Sequence, residues 1–313
     1  MILPPREILN NDTHYYFKTE ANLSLEHQLK KIIFICKKLE VLLDEQEQSP
    51  YWYLAKPEDL YLVESLISNY SILIEYYYSW IIFSFIGTVK HSKSTYKPIQ
   101  RCESEINNAI SKIFEEHSIG TLKIRNIDGY KEICREAFLD AFDFLFVGKF
   151  HEIYVINNFL KHNRILGSYA PKAMHNGEKI SIPYIYIRKP SSLLLNKSVM
   201  KCFFDYKLDS GAKIISESND YYINLFNESS QKIGMLGGVD IFTVNGIDYI
   251  VSEDSVGLPI ESMLKVTYDL CSNIIEKKIK VNVGAVTLIN SLEHLVKTIR
   301  EREPKTLGRL LND

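Results

Sequence analysis

Cysteine is scarce and scattered. Cys36, Cys102, Cys134, Cys202 and Cys271 are odd in number, and none of the five lies close to another along 313 residues. This excludes a disulfide framework and a Cys-based zinc cluster, and fits buried free thiols in a reducing cytoplasm. Charge of one sign is also lacking: 37 Lys and Arg face 39 Asp and Glu, for a formal net charge of −2. With no overall basic field to steer the chain to nucleic acid, any such binding has to come from a local patch, or from two patches paired in an oligomer. The start, "MILPPREILNNDTHYY", has two prolines and no apolar core, so it does not read as a signal peptide. The longest apolar stretch, "YSILIEYYYSWIIFSFIGTV" (70–89), is broken by Glu75 and by several Tyr and Ser. It reads as a core helix rather than a membrane span.

Catalytic strings are equally sparse. "FEEH" (114–117) and "FHE" (150–152) pair His with Glu, but neither is an HExxH zinc string. "GMLGGVD" (234–240) lacks the strand–loop–helix setting and the Lys-Ser/Thr ending of a phosphate loop, so it reads as a tight turn between strands. The acidic runs "DYKLD" (205–209) and "ISESND" (215–220) are only loosely like the Asp and Glu-x-Lys set of a metal nuclease. No cofactor and no metal site is expected.

Hydrophobic residues make up 46% of the chain, enough for one large core or two modest ones. The 20 Tyr and 15 Phe read first as core filling; stacking of bases on them needs a basic groove alongside. Leu25, Leu29, Ile32, Ile33, Cys36, Leu39, Leu42 and Leu43 recur at helical spacing, which predicts a helix over 24–45 with Ser24 as its N-cap. Pro57, followed by Glu58 and Asp59, starts a second helix running to about 87. Third and fourth helical stretches are expected over 99–118 and 130–164, the latter interrupted at Gly148.

The pattern changes after Arg164. "SIPYIYIR", "KCFFDYKL", "YYINLF" and "KIGML" are strand-like. "DIFTVNGIDYIV" (240–251) flanks Asn245-Gly246, a pair suited to a hairpin turn, with two β-prone runs. Helical periodicity returns over 259–280, where Lys277, Lys278 and Lys280 suit the negative end of the helix, and a last helix is expected over 284–302. The fold class expected is α+β: a helical bundle from residues 1–164 and 257–313, with a β-rich insertion at 165–256.

One segment carries chemistry. In "VINNFLKHNR" (155–164), a helix would stack Asn158 one turn from His162, with Asn157 beside them and apolar residues over most of the rest. "NNFLKHN" resembles the motif helix of the HEPN superfamily, helical bundles that include many ribonucleases of toxin–antitoxin and antiviral systems. Such proteins typically dimerise so that two motif strips face one cleft. The resemblance covers about half the chain and rests on a short string. It implies that His162 is a general acid/base acting on a ribose 2′-hydroxyl and the leaving oxygen, a role its ordinary pKa suits. It also implies that Lys161 contacts phosphate and that the helix over 259–280 closes the bundle.

The string departs from the family at Asn157, where the family has Arg. Asn has neither the fixed charge nor the two-pronged donor geometry for a phosphate, a loss worth on the order of 10²–10³ in rate. Arg164 is the nearby cation that can stand in as a phosphate contact. The residues alone leave other readings open: Asn157, Asn158 and His162 can equally satisfy buried backbone groups or cap the helix end. The chain can also be a non-catalytic dimeric module whose β-rich region grips a protein partner.

Overall fold

The computed structural model describes residues 12–85, 96, 102–116, 127–146, 149–150, 153–154, 157, 161, 167–175, 178–188, 230–236, 239–244, 247–251 and 255–281. Its class is α+β. Among the described residues, helices run over Asp12–Gln48 (α1), Pro57–Phe85 (α2), Glu103–Glu116 (α3), Ile127–Phe142 (α4) and Ile260–Val281 (α5), with a 3-10 turn at Asp143–Leu145. The last expected helix and the strand-like runs "KCFFDYKL" and "YYINLF" lie outside the described residues. Helix α1 starts at Asp12, about three turns before the expected N-cap, so Ser24 is interior to it. No Gly or Pro separates Asp12 from Ser24, and nothing in that stretch stops a helix from propagating.

By its contacts the chain forms two units. One comprises 1–32, 69–148 and 270–296; the other comprises 33–68, 149–269 and 297–313.

The first unit is helical. Its core is aromatic, as the Tyr-rich stretch of α2 predicts: Tyr77 packs on Phe142 at 5.5 Å between ring centroids, and Tyr78 on Tyr96 at 5.8 Å. Gln28 on α1 donates to both the main-chain and the side-chain oxygen of Asn69 on α2, at 2.8 and 3.0 Å. The carbonyls left over where α4 ends are taken up by distant side chains. The Tyr77 hydroxyl donates to the Ala141 carbonyl at 2.6 Å, the Tyr96 hydroxyl to that of Leu145 at 3.2 Å, and the Lys277 ammonium to that of Asp140. The Glu75 carboxylate accepts the backbone N–H of Tyr96 at 2.9 Å. Burial pushes the Tyr77 hydroxyl well above its ordinary pKa and the Cys271 thiol up to about 12, so Cys271 is an inert core thiol.

Lys277 and Lys278 do stand in the last turns of α5, but not as solvated charges. Lys278 is 1% exposed and pairs with Glu26 of α1. Lys277 is 9% exposed and pairs with Asp140 and Asp143 at 3.1 and 3.4 Å.

The second unit holds the sheet. Its strands are Gly167–Tyr169 (β1), Lys172–His175 (β2), Glu178–Ser181 (β3), Tyr184–Arg188 (β4), Ser230–Leu236 (β5), Val239–Val244 (β6), Ile247–Val251 (β7) and Ser255–Pro259 (β8). A six-stranded antiparallel sheet has the order β1-β4-β8-β7-β6-β5, and β2 pairs with β3 separately. The hairpin expected around Asn245-Gly246 is present, with Val244 opposite Ile247, and within "GMLGGVD" Leu236 of β5 pairs with Val239 of β6, while Gly237 and Gly238 lie outside the described residues. The expected single strand 181–188 is divided at Ile182-Pro183, where the Ile182 N–H turns to the Pro171 carbonyl and Pro183 has no N–H to offer a ladder.

The sheet's core is Ile180, Ile182, Tyr184, Ile241 and Ile250. Lys172 holds the C-terminal end of α1, donating to the carbonyls of Gln46 and Ser49 at 2.6 and 2.7 Å, where a cation meets the negative helix end. Burial lowers its pKa.

Two glycines are covered by tyrosine rings. A Cβ at Gly257 would stand 2.2 Å from the Tyr184 ring and 2.9 Å from the Ile185 carbonyl oxygen; at Gly167 the three nearest atoms all belong to the Tyr186 ring, the first at 2.4 Å. Tyr184 is 2% exposed and has nowhere to go, whereas Tyr186 is only partly buried. Gly257→Ala is therefore expected to cost about 1–3 kcal/mol, and more than Gly167→Ala, in equilibrium urea unfolding. Equal costs for the two would show that the Tyr184 ring swings aside.

Candidate functional site

The motif segment follows the end of α4. Among its described residues, Lys149, Phe150, Ile153, Tyr154, Asn157 and Lys161 are all helical. Their spacing places Phe150, Ile153, Tyr154 and Asn157 on one face, and all four are buried, at 7, 0, 8 and 4% exposure. Lys161, one turn beyond Asn157 on that face, is exposed. The face thus passes from apolar core, through one buried amide, to a solvated ammonium.

The start of the segment is fixed by charge. Lys149 pairs with Asp269 of α5 and lies 5.2 Å from the centroid of the Phe150 ring. Sequence reasoning missed this pair, because partners 120 residues apart share no local signal.

Of the residues singled out for chemistry, the structure thus brings Asn157 and Lys161 to one helix face. His162, Asn158 and Arg164 lie outside the described residues. The burial of Asn157 has a chemical consequence. An amide at 4% exposure can hold a neighbouring group in place, but it does not meet a substrate phosphate from solvent. An Arg at that position would need a buried counter-charge.

Among the described residues, no group of three or more His, Cys, Asp or Glu is placed to hold a metal ion. Nor, among them, is any helix long and apolar enough to cross a membrane. No known family, curated protein or solved structure matches the chain.

Proposed function

We propose that this chain is a HEPN-like protein of a bacterial or phage conflict system, acting in the cytoplasm as a homodimer, and that it cleaves RNA without a metal. The observation that carries the reading is the helical setting of the motif segment, with Asn157 held inside and Lys161 presented to solvent one turn later. Lys161 and Arg164 bind the phosphate. His162 takes the proton of a ribose 2′-hydroxyl, whose oxygen attacks the adjacent phosphorus. The bond to the 5′-oxygen breaks, and that oxygen leaves with a proton from imidazolium. Asn158 and the buried Asn157 are positioning residues for the imidazole.

The chemistry dictates the ends: a 2′,3′-cyclic phosphate on one fragment and a 5′-hydroxyl on the other. An RNA carrying a single 2′-deoxy sugar at the cleaved position is expected to be spared there and cut elsewhere. Cutting at the deoxy position would overturn the role given to His162.

A second reading, a non-catalytic dimeric module that engages a protein partner through the β-rich region, is favoured by one observation. Tyr51, Trp52 and Tyr53 are 52, 45 and 50% exposed, yet their loop is pinned by the Ala170 N–H donating to the Trp52 carbonyl at 2.7 Å. A stable dimer that leaves every RNA intact would favour that reading.

A further inference from the structure

Helix α1 carries a cationic face that the proposed chemistry does not use. The run "HQLKKIIFICKKL" (27–39) contains Lys30, Lys31, Lys37 and Lys38 and no acidic residue. All four lysines are exposed, as is His27. The helix is unbroken from Asp12 to Gln48, so their relative placement follows from helix geometry alone. Lys30 and Lys37 are seven residues apart and align, as do Lys31 and Lys38, giving two parallel rails whose members are about 10 Å apart.

Phe34 falls between the rails. It is 61% exposed, and the Lys38 ammonium lies 5.6 Å from its ring centroid. Among the described residues, none of the four lysines makes an ion pair. The nearest carboxylates on the helix are engaged elsewhere, Glu26 by Lys278 and Glu40 by the Tyr268 hydroxyl. Glu20 before the run, and Asp44 and Glu45 after it, bound the cationic stretch at both ends.

We propose that this face binds single-stranded nucleic acid, with phosphates on the two lysine rails and one base stacked on Phe34. A cluster of fixed positive charge attracts a polyanion, and a solvated ring among those charges offers a surface on which any base can stack. A duplex keeps its bases stacked inside and leaves the ring without a partner. An anionic membrane fits less well. The helix's continuous apolar side, including Leu25, Leu29, Ile32, Ile33, Cys36 and Leu39, is already buried in the protein, leaving only Phe34, Leu23 and Val41 as separated exposed apolar side chains.

The inference is independent of the catalytic reading. It is tested with a ligand that 2′-hydroxyl chemistry cannot cut. Fluorescence anisotropy of the full chain with a labelled oligothymidine of about fifteen nucleotides is expected to show binding that weakens steeply with salt. Replacing Lys30 and Lys37 by Ala lowers the slope of log affinity against log salt by about 0.7 per lysine. Phe34→Ala weakens binding roughly five- to a hundredfold, and Phe34→Tyr restores it. These substitutions are at exposed positions, and unchanged circular dichroism confirms the fold. Three results would each overturn the proposal: no binding at low salt, equal affinity for a duplex with no effect of Phe34→Ala, or a loss confined to phosphatidylserine vesicles.

Discussion

Lys278→Ala is expected to destabilise the protein by about 3–5 kcal/mol. The ammonium is buried deep in the helical unit, and its partner Glu26 is itself only 9% exposed. Burial lowers the Lys278 pKa, and the Glu26 carboxylate opposes that shift, so the lysine keeps its charge because the glutamate is there. Removing the lysine leaves a carboxylate out of water with the Asn22 amide, at 3.0 Å, as its remaining donor. The Asn22 side-chain oxygen is already buried without a partner, so the site has no spare hydrogen bonds to reorganise around a lone charge. Glu26→Gln is expected to cost less than Lys278→Ala, because an amide oxygen still accepts from the ammonium. The double replacement Glu26→Leu with Lys278→Met removes both charges and is expected to return most of the loss. Lys277→Ala should cost only about 1 kcal/mol, since the Asp140 and Asp143 side chains are 40 and 49% exposed and water covers them. Urea unfolding followed by the fluorescence of buried Trp80 in the same unit measures the whole cycle. A single variant at Lys278 as stable as the parent would mean the pair contributes nothing.

The second large effect is on chemistry. His162→Ala is expected to lower RNA cleavage by about 10²–10⁴-fold while leaving the unfolding free energy within about 0.5 kcal/mol of the parent. Asn157→Arg restores the residue type found in the related motif, yet the position is buried, so it is expected to lower stability rather than raise activity. A gain in cleavage without loss of stability would show that the side chain reaches solvent.

Much of this fold is legible in the order of residues because the determining interactions are local. Helix α2 starts at Pro57, as its fixed φ and the following Glu58 and Asp59 require, and α5 spans Ile260–Val281 against an expected 259–280. The β6–β7 hairpin follows from two β-prone runs around Asn-Gly. What escaped notice is long-range. Strand β8, "SVGLP", is short and holds Gly and Pro, so alone it reads as loop; it is a strand because β4 and β7 flank it. The buried state of Lys278 was visible in principle. It lies four residues after Ile274 and three after Ile275, on the stripe α5 buries, but position in the last turn pointed only to a cation suited to the negative helix end. At the candidate site, the helix follows from spacing. The burial of Asn157 and the exposure of Lys161 on the same face do not, because an amide within an apolar face is equally suited to a rim and to an interior.

The central claim is that one imidazole, with cations beside it and no metal, breaks an RNA chain. The most direct measurement is cleavage of an end-labelled RNA by the parent chain and by His162→Ala, each in excess EDTA. The account predicts fragments from the parent at undiminished rate and none above background from the variant. Cleavage that EDTA abolishes, or that survives loss of His162, would contradict it.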